Sequence, residues 1–210
     1  MIEVKNVNKS FKNQKVLDNV SIDFEDGEIT GIVGHNGSGK TVLFKCICGL
    51  LFCDSGEIIV DGCTEIKYGT MIKDAGVIIE NPAYLENENA LKNLKYLYEI
   101  NNKKDDNHLH EVLRQVGLDP TLKKKVKHYS LGMRQRLAIA QAIMEDPHIL
   151  ILDEPMNGLD KNGVAEMRAL FLEEKKQGKT IILASHNKED IDVLCDHVYE
   201  MEDGVLCQIR

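Results

Sequence analysis

Eight consecutive residues limit what this chain can fold into more than any others. Gly34-His35-Asn36-Gly37-Ser38-Gly39-Lys40-Thr41 fits G-x-x-x-x-G-K-[ST] at every fixed position. Residues 28–33 before it are apolar enough for a buried strand, and residues 42–51 after it read as a buried helix. A strand, a glycine-rich turn and a helix in that order aim backbone N–H groups inward at a phosphate. The helix N-terminus adds a favourable dipole. Lys40 is then placed to reach β- and γ-phosphates, and the Thr41 hydroxyl to hold Mg²⁺. A glycine-rich turn with no such role would leave a lysine unexplained in apolar company.

A second signal lies at Ile149-Leu150-Ile151-Leu152-Asp153-Glu154-Pro155. An apolar strand that delivers two acids at its C-terminal end puts them where open α/β sheets bind ligands. Asp153 is the candidate metal residue, and Glu154 the candidate general base for an attacking water. Acids that merely cap a following helix are the plainer reading, and the upstream phosphate loop weakens it.

Between and around these signals the pattern switches twice. Residues 2–7 and 21–24 alternate apolar and polar side chains, the mark of half-buried antiparallel strands, and 57–60 and 75–79 are further strands. Residues 90–100, 109–116 and 131–144 carry apolar side chains at helical spacing. Strand and helix then alternate again: a strand at 149–152, a helix at 163–176, a strand at 180–184 and a helix at 188–195. A hairpin of 198–201 and 205–209, turned at Asp203-Gly204, closes the chain. One domain is expected, in which residues 1–86 and 145–210 form an α/β core with a β subdomain and residues 87–144 a helical subdomain.

Composition narrows the function classes. The chain has 210 residues, with 26 Lys+Arg against 34 Asp+Glu and a net charge of −8. That acidic balance argues against a sequence-independent nucleic-acid partner, which needs a basic face to displace counterions. No apolar run approaches the ~20 residues of a membrane-spanning helix, and Met1-Ile2-Glu3-Val4-Lys5 lacks the basic start of a signal peptide. A soluble cytoplasmic chain is expected. The six cysteines (46, 48, 53, 63, 195 and 207) form no C-x-x-C pair and are read as reduced structural thiols. His108 and His110 read as a solvated pair, and the basic run 123–127 as a solvated loop.

The segment Tyr129-Ser130-Leu131-Gly132-Met133, which opens the helix at 131–144, brings a family into view. A phosphate loop, a helical insertion, S-x-G at a helix start and then an acid-terminated strand resemble the ATP-binding cassette (ABC) ATPases over essentially the whole chain. The family's L-S-G-G-Q signature keeps here only its Ser130 and its second Gly, Gly132. Asn157-Gly158-Leu159-Asp160 matches the family's dimer-contacting loop, and Ser185-His186 the switch histidine that contacts the γ-phosphate. Phe11 stands where an aromatic stacks on adenine; a core Phe is the alternative. Glu80 replaces the usual Gln after the strand at 75–79, and with Ser-Leu-Gly-Met this looks like the exporter branch of bacitracin-resistance and lantibiotic-immunity ATPases.

The resemblance implies an α/β fold: a P-loop NTPase core of ABC type, with an antiparallel β subdomain and an inserted α-helical subdomain. It implies ATP and Mg²⁺ as ligands. Phe11, Gly34, His35, Asn36, Gly37, Ser38, Gly39, Lys40 and Thr41 would bind nucleotide, Thr41, Glu80 and Asp153 the metal, and Lys40, Glu154 and His186 would serve catalysis. Ser130 and Gly132 would complete the site of a second subunit, with Asp160 in the dimer loop, in a homodimer or a heterodimer with a paralogue. A separate transmembrane permease would be the partner, with this chain peripheral on the inner face of the membrane. A non-transport ABC ATPase, such as one of iron–sulfur assembly, is the rival, and a catalytically dead module a second. The complete set of Lys40, Asp153, Glu154 and His186 counts against the latter.

Overall fold

The computed structural model describes residues 1–12, 14–62, 64–66, 70–80 and 82–210. The chain opens with β1 (Ile2–Phe11), β2 (Gln14–Phe24), β3 (Ile29–Val33), α1 (Lys40–Ile47), β4 (Ser55–Val60), β5 (Thr64–Glu65) and β6 (Ala75–Ile78). A helical stretch follows, made of α2 (Ala90–Tyr98), α3 (Asp106–Gln115), a 3₁₀ turn (Val126–His128) and α4 (Leu131–Ile143). The remainder is β7 (Ile149–Asp153), α5 (Lys161–Lys176), β8 (Thr180–Ala184), α6 (Lys188–Leu194), β9 (His197–Glu202) and β10 (Val205–Gln208).

Two sheets result. One is antiparallel, ordered β2-β1-β4-β5. The other is ordered β10-β9-β3-β8-β7-β6 and is parallel except at its β9–β10 edge. In β7, Leu150 and Leu152 belong to one apolar core, which also holds residues of α2 to α6, while Ile149 and Ile151 belong to another with α1, β1 and β2. β8 divides its side chains in the same way: Ile181 and Leu183 against Ile182 and Ala184. Burial on both faces explains why these strands are continuously apolar. Each fully buried Ile or Leu contributes about 1.5–3 kcal/mol, so this double layer fixes the strand ends that carry the acids.

Several boundaries differ from the sequence pattern for identifiable reasons. β1 and β2 run longer than 2–7 and 21–24, because register shifts at Val4/Val7, Val7/Lys9 and Lys9/Ser10 interrupt the alternation. α1 ends at Ile47 rather than 51: Gly49 takes φ +74, and a Cβ there would stand 2.2 Å from the Thr70 carbonyl. His108 is half-buried, with Nε2 2.7 Å from the Met144 carbonyl, so the solvated-pair reading of His108 and His110 is corrected. The α3 surface is less free than its polar sequence implies.

α4 is the helix that ties the helical stretch to the parallel sheet. A Cβ on Gly76 of β6 would lie 1.9 Å from the Ala142 carbonyl, so only glycine lets α4 approach the strand this closely. Cys46, Cys48, Cys53, Cys195 and Cys207 are free thiols, the first two buried; Cys63 lies outside the described residues. Cys46 and Cys53 are hydrogen-bonded to each other.

Candidate functional site

The parallel sheet and α1 open a cleft of about 570 Å³, lined by Phe11, Lys40, Thr41, Glu80, Asp153 and Glu154 among others. Its floor is the loop between β3 and α1. Gly34 leaves β3 with φ +149, and a Cβ there would sit 2.3 Å from the Met201 carbonyl, so the backbone passes where no side chain fits. Lys40 donates to the carbonyls of Gly34 (2.8 Å) and His35 (3.0 Å), curling the loop around its ammonium. Burial holds the Lys40 pKa below the ordinary lysine value, against the opposing charges of Glu154 and Asp153. Ser38 is buried, and its Oγ has no hydrogen-bond partner among the described residues. A buried cation and an orphaned hydroxyl in one turn suit an anionic, oxygen-rich group such as a phosphate.

The rest of the loop contributes backbone. His35 points outward, its Nδ1 2.9 Å from the Asn36 carbonyl, while its own carbonyl takes Lys40 and the Ser38 N–H (3.2 Å). Asn36, Gly37 and Gly39 line the cleft beside it. At the edge, Phe11 ends β1 with 45% of its surface exposed, and Lys9 Nζ stands 5.6 Å from its ring centroid. The core alternative for Phe11 is thereby excluded.

Thr41 donates its hydroxyl to Asp153 Oδ2 at 2.6 Å, bringing together residues 112 positions apart. A hydroxyl and a carboxylate are hard oxygen donors, and Mg²⁺ commonly takes one or two protein ligands, with water and phosphate completing its shell. The donor set fits that ion. No cluster of three or more His, Cys, Asp or Glu suited to a metal occurs among the described residues, so a closed all-protein cage is not what these residues build.

Glu154 follows Asp153 in the left-handed region, φ +51, and its N–H donates to the Ala184 carbonyl at 2.9 Å. This twist brings Glu154 Oε2 to 2.8 Å from His186 Nδ1, which donates to it. His186 is otherwise open to solvent. Glu80 also takes a positive φ (+59) at the end of β6, and its carboxylate accepts from Lys45 Nζ of α1 at 2.5 Å. Glu80 thus lines the cleft, but its charge is matched by a lysine rather than added to those of Asp153 and Glu154. Asn81, in the segment between Glu80 and Pro82, lies outside the described residues.

Ser130 and Gly132 do not line this cleft. Ser130 caps α4 by accepting the Met133 N–H at 3.2 Å, and a Cβ on Gly132 would stand 3.1 Å from the Gly158 carbonyl. The start of α4 therefore rests on the loop 156–160, where Asp160 caps α5 by accepting the Gly163 N–H at 2.8 Å. Leu131, between the two signature residues, is 64% exposed, with its covered side lying against Gly158. Sequence reasoning missed three contributors. Gln135 lines the cleft and donates to the Pro155 carbonyl at 2.8 Å, Lys45 holds Glu80, and Arg168 pairs with Asp190 behind His186. The position of Gln135, one turn after Ser130–Gly132, was the only signal among these.

A parallel sheet with its phosphate loop, a threonine–aspartate pair beside it and a glutamate–histidine pair above define a P-loop nucleotide-binding protein. The comparisons narrow that class. The profile of the ABC transporter family matches residues 17–157, and the chain belongs to that family. The ABC transporter ATP-binding protein YybJ of Bacillus subtilis is 47% identical over 206 residues, covering 98% of this chain and 94% of that one. The bacitracin transport ATP-binding protein BcrA of Bacillus licheniformis is 38% identical, covering 99% and 69%. The lantibiotic transport ATP-binding protein SrtF of Streptococcus pyogenes is 34% identical, covering 97% and 88%. Among solved structures, a nucleotide-free ATP-binding cassette from an ABC transporter superposes with a TM-score of 0.85 at 25% identity, covering 100% of this chain and 91% of its own. A dimeric bacterial ABC transporter cassette shares the fold with a TM-score of 0.87 at 24% identity, over 100% and 99%.

Proposed function

We propose that this chain binds and hydrolyses Mg-ATP to drive export through a separate transmembrane permease, working as a dimer with itself or with a paralogue. The observation that carries the reading is the convergence of Lys40, the Thr41–Asp153 pair and Glu154 on one cleft. Lys40 trades its two carbonyl contacts for β- and γ-phosphate oxygens, and Phe11 offers its exposed ring to the adenine. Thr41 and Asp153, with Glu80 as a third candidate, would hold Mg²⁺, which when bound neutralises charge on the β- and γ-phosphates. Glu154 takes a proton from water as its oxygen attacks the γ-phosphorus and the bond to the β-phosphate oxygen breaks. His186, bonded to Glu154, holds that carboxylate in place and faces the same phosphate.

The partner reading rests on surfaces. Leu131 is exposed between Ser130 and Gly132, away from the cleft of their own chain, which suits contact with a second subunit's γ-phosphate. No helix among the described residues is long and apolar enough to cross a membrane, and the separate permease of this proposal would supply the spanning part. In this reading the chain works against the inner face of the membrane. Export, rather than iron–sulfur assembly, is supported by the transport proteins of bacitracin and lantibiotics among its relatives.

Glu154→Gln tests the reading. The variant should bind ATP with near-normal affinity and lose turnover by a factor of about 10²–10⁴, the usual contribution of a general base. Wild-type turnover in Glu154→Gln would remove Glu154 from the chemistry.

A further inference from the structure

Behind the open side of His186 lies a network that the hydrolysis described above does not use. Asp190, in the first turn of α6, is only 2% exposed. One of its carboxylate oxygens accepts from Arg168 Nε at 2.8 Å and from Nη2 of the same guanidinium; the other accepts from the Ser185 hydroxyl at 3.3 Å. Ser185 Oγ in turn accepts the Asn187 N–H at 3.1 Å. The residues before and after His186 are therefore tied to one another through a single buried hydroxyl, and that hydroxyl to a buried carboxylate. His186 itself makes one polar side-chain contact among those described, to Glu154.

The other end of the network is on α5. Arg168 stands eight residues after Asp160, the cap of that helix, a distance of about 12 Å at 1.5 Å per residue. A cavity of about 210 Å³ separates the two loops concerned, lined on one side by Asn157, Gly158 and Leu159 and on the other by Ser185, His186 and Asn187. α5 runs from the Asp160 cap to Arg168 and so connects the first loop to the network behind the second. A buried carboxylate needs its charge matched and its lone pairs filled; Arg168 matches the charge and gives one oxygen two N–H donors from a planar fork that lysine lacks, while Ser185 serves the other oxygen.

We propose that Arg168 and Asp190 are positioning residues for His186: through Ser185 they fix the pivot from which the imidazole reaches Glu154 and the γ-phosphate, and they make that pivot follow α5. The inference deepens the hydrolytic reading and rests on it.

The test uses the full chain with Arg168→Lys, Asp190→Asn, His186→Ala and the double variant Arg168→Lys/His186→Ala. Arg168→Lys and Asp190→Asn should each lower kcat for ATP tenfold or more with KM within twofold of wild type, and the ring signal of His186 in ¹³C-histidine-labelled protein should shift and broaden. In the His186→Ala background, Arg168→Lys should change turnover by less than twofold, since the residue through which it acts is gone. Glu189→Gln, which removes only the exposed partner of Arg168, is the control and should stay within twofold. If Asp190→Asn does not fold, Arg168→Lys carries the test alone. A kcat within twofold of wild type in Arg168→Lys, an unchanged His186 signal, or an equal loss with and without His186 would overturn the proposal. Wild-type turnover in His186→Ala would instead overturn the role of His186 itself, a distinguishable failure.

Discussion

Lys40→Ala isolates the largest single contact expected between this protein and nucleotide. In the structure the ammonium is buried and holds two backbone carbonyls, so binding phosphate exchanges those acceptors for anionic oxygens. A hydrogen bond to a charged group contributes about 1.5–3 kcal/mol net. At roughly 1.4 kcal/mol per tenfold, truncation should raise the Kd for ATP by about 10- to 150-fold. Stability should behave differently. Burial lowers the Lys40 pKa in the folded chain, so the protonated lysine costs stability at neutral pH, and that cost fades only as pH rises through the lowered value. Its removal therefore offsets the loss of two hydrogen bonds, and Tm without nucleotide should move by less than about 4 °C. The same sign governs affinity. ATP needs the ammonium, so wild-type affinity should begin to fall at a pH below the ~10.4 of an ordinary lysine, while Lys40→Ala shows no such fall. Titration calorimetry from pH 7 to 10, with thermal melts in parallel, measures both. A Kd within twofold of wild type at pH 7 would refute the assignment of Lys40 to phosphate.

Mixing Ser130→Arg with Lys40→Ala protein should restore turnover if Ser130 acts on the partner's nucleotide, because each mixed dimer keeps one intact site; no rescue, with mixed dimers shown to form, counts against action in trans. Glu80→Gln should leave ATP affinity nearly unchanged and alter the Mg²⁺ dependence of hydrolysis, and in the assembled transporter shift coupling to export more than Glu80→Asp does. Its stability cost should stay under about 1 kcal/mol, since Glu80 is exposed and its partner Lys45 half-buried, and identical Mg²⁺ titrations would show Glu80 to be a neutral stand-in. Among the described cysteines, maleimide at pH 7.5 should modify Cys207, which is exposed, and half-buried Cys53 first, the latter because the hydrogen bond from Cys46 lowers its pKa. Burial pushes Cys48 and Cys195 up to about 12, so both should stay unlabelled until the chain unfolds, as peptide mapping would report.

The sequence made the phosphate loop, the acid-ended strand and the alternation of strands and helices legible, because each depends on local spacing. Lys40, Thr41, Asp153 and Glu154 could be named before any coordinates since their neighbours along the chain define them. The Thr41–Asp153 contact is expected once the first turn of α1 and the end of β7 are placed side by side. What stayed hidden depends on side chains meeting from distant segments. Nothing near Glu80 announces that Lys45 will hold it, and Arg168 looks like any charged residue on a helix. The full length of β1 and β2 was masked by bulges that break the period of two, and the role of His108 by its polar neighbours.

The close seating of α4 on β6 at Gly76 has a mechanical consequence. Ala142 is twelve residues from Ser130, so that contact acts as the fulcrum of an arm about 18 Å long. A tilt of only ~10° about it would move the tip, with Ser130, Leu131 and Gly132, by ~3 Å at 1.5 Å of rise per residue, and the loop 156–160 on which that tip rests would have to move with it. The strand on which the arm turns runs on into Glu80. A side chain at position 76 would push α4 away from β6, so the hydrogen atom that glycine carries there sets how far Ser130, Leu131 and Gly132 stand from the sheet.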